Sequence, residues 1–148
     1  MPQPPEFDGN AILAVLARHK VACVVIGNYA GLLRGVNLAT EDVDITPATT
    51  AENLERLAID LAELGAAIRV PASPLSRCPP TLVCSPKPRS GTSRPATATS
   101  TSPLGLRIEV AALEDVIRSK TAAGRAKDLA ALPQLRAALE RQRDAADT

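Results

Sequence analysis

Residues 71–103 hold eight Pro, seven Ser and five Thr among 33 positions, with four basic residues and neither Asp nor Glu. A stretch of that composition cannot bury enough apolar surface to fold alone, so the core must come from the residues on either side. Two expectations stay open for it. One is a Pro/Ser/Thr-rich low-complexity insert, disordered within a single domain spanning 1–148, although structureless loops beyond about 12–15 residues are uncommon in compact folds. The other is a scrambled, frameshifted stretch. Ala96 to Thr101 reads Ala-Thr-Ala-Thr-Ser-Thr, a run whose Ala and Thr codons, and the TCN codons of Ser, share a middle C. One base out of frame, Thr codons become Asp or Tyr codons, Ala codons Gly and Ser codons Leu, so an acidic sheet strand turns into such a tract. The bases encoding residues 70–104 test that hypothesis. It fails if neither alternative frame encodes acidic, strand-like sequence.

The flanks are patterned. Residues 10–19 carry apolar positions at helical spacing, with Asn10 a candidate cap. Val21 to Ile26 is a continuous apolar, largely β-branched run, short enough for a buried strand, and Gly27-Asn28 ends it. A short helical pattern from Tyr29 to Arg34 stops at Gly35. Ala51 to Leu64 places Leu54, Leu57, Ala58, Leu61 and Leu64 on one stripe, with Gly65 as its stop. Ala67 to Val70 reads as a strand, as does Leu106 to Val110. A helix is expected over 112–123, with Leu113, Val116 and Ile117 inward and Arg118 and Lys120 outward. A last helix follows Gly124 and is expected to break at Pro133.

Between these elements lies Thr40-Glu41-Asp42-Val43-Asp44-Ile45, expected to be a strand over about 42–46. In a strand, positions i and i+2 share a face, so Asp42 and Asp44 point the same way. Like charges held that close repel, and a divalent cation between them relieves the repulsion. The alternative is a solvated pair on an edge strand.

Strand, glycine turn, short helix and a strand bearing Asp-x-Asp follow in the order that resembles the nucleotidyltransferase superfamily with the polymerase-β-type palm. The stretch VVIGNYAGLLRGVNLATEDVDI looks like the small bacterial nucleotidyltransferases, including those found as toxin–antitoxin partners. VAALEDVIRSKTAAGRAKDLAALPQL is similar to their C-terminal part. The resemblance covers residues 11–70 and 104–140. It implies an α/β fold, a small mixed β-sheet flanked by helices, with Asp42 and Asp44 as catalytic metal ligands for Mg2+. It also implies an NTP substrate, ATP foremost, whose phosphates are backed by Gly27-Asn28, where the family carries Gly-Ser or Gly-Gly. Lys120 and Lys127 become candidate phosphate contacts, although solvated helix faces are their commoner role. The family's third carboxylate has no counterpart at its expected place, and Glu109 is a weak substitute, so impaired catalysis belongs to the expectation. The acceptor would be a protein or an RNA. The alternative is a non-catalytic, antitoxin-like protein that keeps the fold and binds a partner protein.

Composition excludes several other classes. A formal charge of +1 gives no whole-protein pull toward nucleic acid, which leaves a nucleic-acid-binding module open only with the weakly basic 71–103 tract as a disordered arm, and no apolar run approaches the roughly 20 residues of a membrane span. One Phe, one Tyr and no Trp leave the core to Ala, Leu, Val and Ile. The single His19 supports no triad. Cys23 reads as a buried thiol, and Cys78 and Cys84, with no nearby His, make a poor zinc pair. A cytoplasmic protein with no structural metal is the expectation.

Overall fold

The computed structural model describes residues 7–66, 97–101 and 107–147. The expected strand at 67–70, Cys78, Cys84 and most of the Pro/Ser/Thr window lie outside these residues.

The fold is mixed α/β, as the pattern implied. In chain order it runs α1 (Gly9–Arg18), β1 (Cys23–Ile26), α2 (Gly27–Leu33), β2 (Asp44–Pro47), α3 (Ala51–Glu63), β3 (Thr97–Thr101), β4 (Arg107–Ala111), α4 (Leu113–Ala123) and α5 (Ala126–Ala146). The strands form one sheet in the order β2-β1-β4-β3. β1 pairs antiparallel with β2 and parallel with β4, and β3 pairs antiparallel with β4. The part of the low-complexity window that is described is therefore a strand. Thr97 to Thr101 alternates β-branched Thr with small residues, and pairing residue by residue with β4 gives that tract its backbone partners.

The register sorts the side chains by face. Val25 lies opposite Ile45 and beside Val110, and Val25 and Val110 are fully buried. Ile26 lies opposite Asp44, and Val24 lies opposite Thr46 and beside Glu109, on the other face. Leu13 and Leu16 of α1, Leu113 and Val116 of α4 and Leu135 of α5 complete the core. Tyr29 is buried with them, edge-on to Phe7 with ring centroids 6.3 Å apart.

Several local expectations are corrected. Asp8, not Asn10, caps α1, because its carboxylate accepts from the Ala11 N–H at 3.0 Å. Asp42 lies before β2, which begins at Asp44. A bend at Glu41 precedes it, where Asp42 N–H donates to Thr40 Oγ1 at 3.4 Å and the same hydroxyl lies 2.9 Å from Asp42 Oδ1. Gly27 and Asn28 are the opening residues of α2. The inward positions of α3 are Asn53 and Asp60, with Leu57 and Leu64 half-buried, whereas Ala58 and Leu61 are exposed. Asn53 fixes that rotation. Its Oδ1 accepts from Ala22 N–H at 2.7 Å, and its Nδ2 donates to the Ala22 and Ala48 carbonyls at 2.9 Å each. α5 runs unbroken through Pro133, since Ala131, Leu132, Leu135 and Ala138 bury the turns on both sides of it and packing outweighs the lost N–H. Lys120 points inward, not outward.

Candidate functional site

The chain segment from Val43 to Ile45 has two sides. Val43 and Ile45 pack toward the core, while Asp42 and Asp44, both exposed, line a cleft of about 270 Å3. Ile26, Gly27 and Asn28 form its floor, and Ser119, Lys120, Arg125, Lys127 and Asp128 form the facing wall. All six site residues expected from sequence (Gly27, Asn28, Asp42, Asp44, Lys120 and Lys127) thus meet in one cleft, although 100 residues separate Gly27 from Lys127.

Gly27 is where the strand–helix junction needs glycine. Its φ is +68°, and a Cβ there would lie 2.5 Å from Asp44 Oδ2. The Asp44 carboxylate therefore rests directly over the Gly27 backbone, a close approach that any side chain would block. Beside it, Asn28 Oδ1 is buried without a hydrogen-bond partner among the described residues. An orphaned polar atom at the floor of a cleft is the kind of group that a ligand or water satisfies.

The facing wall is built on the junction between α4 and α5, where Gly124 closes α4 in the left-handed conformation. Leu113, Val116 and Lys120 follow one another at helical spacing on the buried face of α4, which carries the Lys120 ammonium inward. There Nζ donates to Asp128 Oδ1 at 3.0 Å, with side-chain exposures of only 9% and 4%. Arg125 Nε donates to the other oxygen, Oδ2, at 2.6 Å. These two charge-assisted bonds hold the Asp128 carboxyl below the usual carboxylate range. Lys127 is exposed on the same wall. Lys120 is thus a buried charge committed to Asp128, whereas Arg125, bonded to the same carboxylate, and Lys127 are the exposed cations of the cleft. Asp128 was visible in the sequence only as part of Arg125-Ala126-Lys127-Asp128. Its spacing from Lys120 does not mark the pair, because the two lie on different helices.

Glu109 does not join the cleft. It shares a sheet face with Asp44 but lies beside Val24, whereas Asp44 lies opposite Ile26, so β1 and two residues of stagger separate them. Among the described residues, no three or more His, Cys, Asp or Glu gather as a metal-binding group. Cys23 is half-buried, and burial, with Asp60 and Glu109 nearby, pushes its thiol up to about 11, which leaves it inert as a nucleophile. Among the described residues, no helix is long and apolar enough to cross a membrane. Comparison of the chain with protein-family models, curated proteins and solved structures finds no match.

Proposed function

We propose that the cleft binds a nucleoside triphosphate, ATP foremost, together with magnesium, and that the chain is nucleotidyltransferase-like, directed at a protein or RNA acceptor. One observation carries this reading: a single cleft has two carboxylates, Asp42 and Asp44, on one wall and three cations, Lys120, Arg125 and Lys127, against the single carboxylate Asp128 on the other. A metal–polyphosphate complex is polarised in the same sense, cation at one end and phosphate oxygens at the other.

The donor set suits the metal. Magnesium prefers hard oxygens and is held through one or two carboxylates, with waters and phosphate oxygens completing its octahedron. Asp42 and Asp44 would hold it. When bound, the ion neutralises phosphate charge and polarises the phosphoryl group toward attack. The chain's own residues do the rest. Arg125 and Lys127 draw the polyphosphate in, and Arg is suited to a forked contact with phosphate oxygens. Asp128 keeps Lys120 and Arg125 apart, one on each of its oxygens, so the wall is arranged before the ligand arrives. Gly27 leaves room for the Asp44 carboxylate beside the floor of the cleft. The cleft's third carboxylate, Asp128, has both oxygens bonded to Lys120 and Arg125 and is not placed to act as a general base, so binding is the readout to trust ahead of turnover.

The test is calorimetric titration of ATP, and of GTP for comparison, with magnesium and again with EDTA. The Asp42→Asn/Asp44→Asn double variant is titrated alongside. The expected result is magnesium-dependent heat that the double variant loses. Heat that is absent, or indifferent to both substitutions, overturns the nucleotide reading and favours a partner-binding, antitoxin-like role.

A further inference from the structure

Behind the acidic segment lies a second cavity of about 350 Å3, separated from the cleft by one layer of backbone. Val43 and Ile45 line it on the side opposite Asp42 and Asp44. Ile12 and Leu16 of α1, Leu57 and Leu61 of α3 and Leu64 at its end form the other walls, and among the described residues one polar side chain joins them, Asp60. Asp60 is 0% exposed, and among the described residues neither of its carboxylate oxygens has a hydrogen-bond partner.

An unpaired carboxylate in an apolar site is expensive, and native proteins leave few such groups without a reason. The neighbouring basic side chains do not supply its partner. Arg18 and His19, at the end of α1, both pair with Glu63, His19 Nε2 donating to Oε2 at 2.6 Å. The other titratable group facing Asp60, Cys23 on β1, carries no positive charge. What remains is a cavity of ligand size, apolar on nearly every side, with one buried acid to fix a charged end. Small-molecule sites are built that way, about 300–1,000 Å3 and apolar with a few placed polar groups.

We propose that this cavity is a binding site for a small organic cation, an apolar primary amine whose ammonium pairs with Asp60 and whose alkyl chain lies against Ile12, Leu16, Val43 and Ile45. Charge complementarity selects the amine over a neutral apolar ligand. The site is independent of the nucleotide reading, since it shares no side chain with the cleft.

The experiment titrates the full chain with n-hexylamine hydrochloride and, separately, with n-hexanol, following isoleucine and leucine methyl signals by NMR. Saturable shifts of Ile12, Leu16, Ile45 and Leu57 are expected with the amine, at roughly tenfold or greater advantage over the alcohol. Asp60→Asn, which keeps the shape and removes the charge, is expected to erase that advantage. Equal affinity for amine and alcohol makes the cavity a non-selective apolar hollow and overturns the proposal. So does an absence of saturable binding, as when a second copy of the chain covers the cavity. An amine preference that persists in Asp60→Asn overturns it too. The amine–alcohol comparison needs no variant, so a poorly folding Asp60→Asn leaves the test decisive.

Discussion

Two buried aspartates, one at each side of the acidic segment, have opposite surroundings. Asp128, on α5 at the cleft, is 3% exposed and spends both oxygens on cations, Lys120 and Arg125. Asp60, on α3 at the apolar cavity, is 0% exposed and has no hydrogen-bond partner for either oxygen among the described residues. Burial alone raises a carboxylate's pKa, and its partners decide whether that rise survives. Two charge-assisted bonds reverse it at Asp128, whereas at Asp60 burial prevails over the more distant pull of His19 and Arg18. Asp128 therefore belongs to the architecture of its site, and Asp60 is held in spite of its surroundings. Asn53, two turns earlier on the same face of α3, sharpens the point: its amide is buried too, yet both of its ends are bonded.

The largest effect is expected where the satisfied site is broken. Lys120→Met removes one partner from a buried ion pair and is expected to destabilise the chain by about 3 kcal/mol, read as a lower urea midpoint at neutral pH. A loss under about 1 kcal/mol would mean that Arg125 alone satisfies Asp128 and that the pair is not structural. The unsatisfied site should respond with the opposite sign. Asp60→Leu removes an unpaired buried acid and adds apolar surface to an apolar cavity, and a gain of about 1–3 kcal/mol is expected. A destabilised Asp60→Leu would mean that the carboxylate has a partner in solution. The gain is expected alongside lost amine binding, the usual opposition between stability and a functional polar group.

A smaller effect separates strain from function at the cleft. Gly27→Ala and Gly35→Ala both force alanine into positive φ, at +68° and +83°, and each is expected to cost about 1 kcal/mol. Only at Gly27 does the new methyl meet a carboxylate, because nothing lies within 4 Å of a Cβ at Gly35. Gly27→Ala should therefore weaken magnesium-dependent ATP binding roughly tenfold or more, and Gly35→Ala should leave it unchanged. Equal effects on the titration would show that Asp44 does not depend on the bare Gly27 backbone.

What was legible in the sequence was local and periodic. The apolar run Val21–Ile26, the alternation around Asp42 and Asp44 and the glycine stops at Gly65 and Gly124 gave the helices and strands of the flanks within a few residues. The same alternation assigned Asp42 and Asp44 to one side. What stayed hidden depended on partners distant in the chain. Asn53 turns α3 by bonding the backbone of Ala22, 31 residues away, so the leucine stripe chosen by hydrophobicity is not the buried one. Lys120 was read as outward by its charge, although its spacing from Leu113 and Val116 put it on the inward face. For Thr97 to Thr101 composition leaves a disordered insert and a frameshifted stretch both open, and β4 supplies the pairing that composition does not encode. The candidate site was legible as residue types. That Lys120 is committed to Asp128 was not, because a charge pair is set by where two helices meet.

The smallest effect is also the most direct comparison of the two aspartates, because their pH dependences have opposite signs. An unfolded aspartate titrates near about 3.9. Asp128 titrates lower in the folded chain, so its stabilising contribution is complete above that value and is lost as pH falls through its folded pKa. Asp60 titrates higher in the folded chain. Its contribution is complete below the unfolded value and is lost as pH rises from there through its folded pKa, because the folded state holds the proton more tightly. Urea midpoints of the native chain and of Asp60→Asn, measured from about pH 3 to about pH 7, isolate the second term, since every other group titrates in both. The stability of Asp60→Asn relative to the native chain is expected to rise with pH across that window and then level off. A difference that stays flat would mean that Asp60 is solvated or paired after all, and the contrast with Asp128 would collapse.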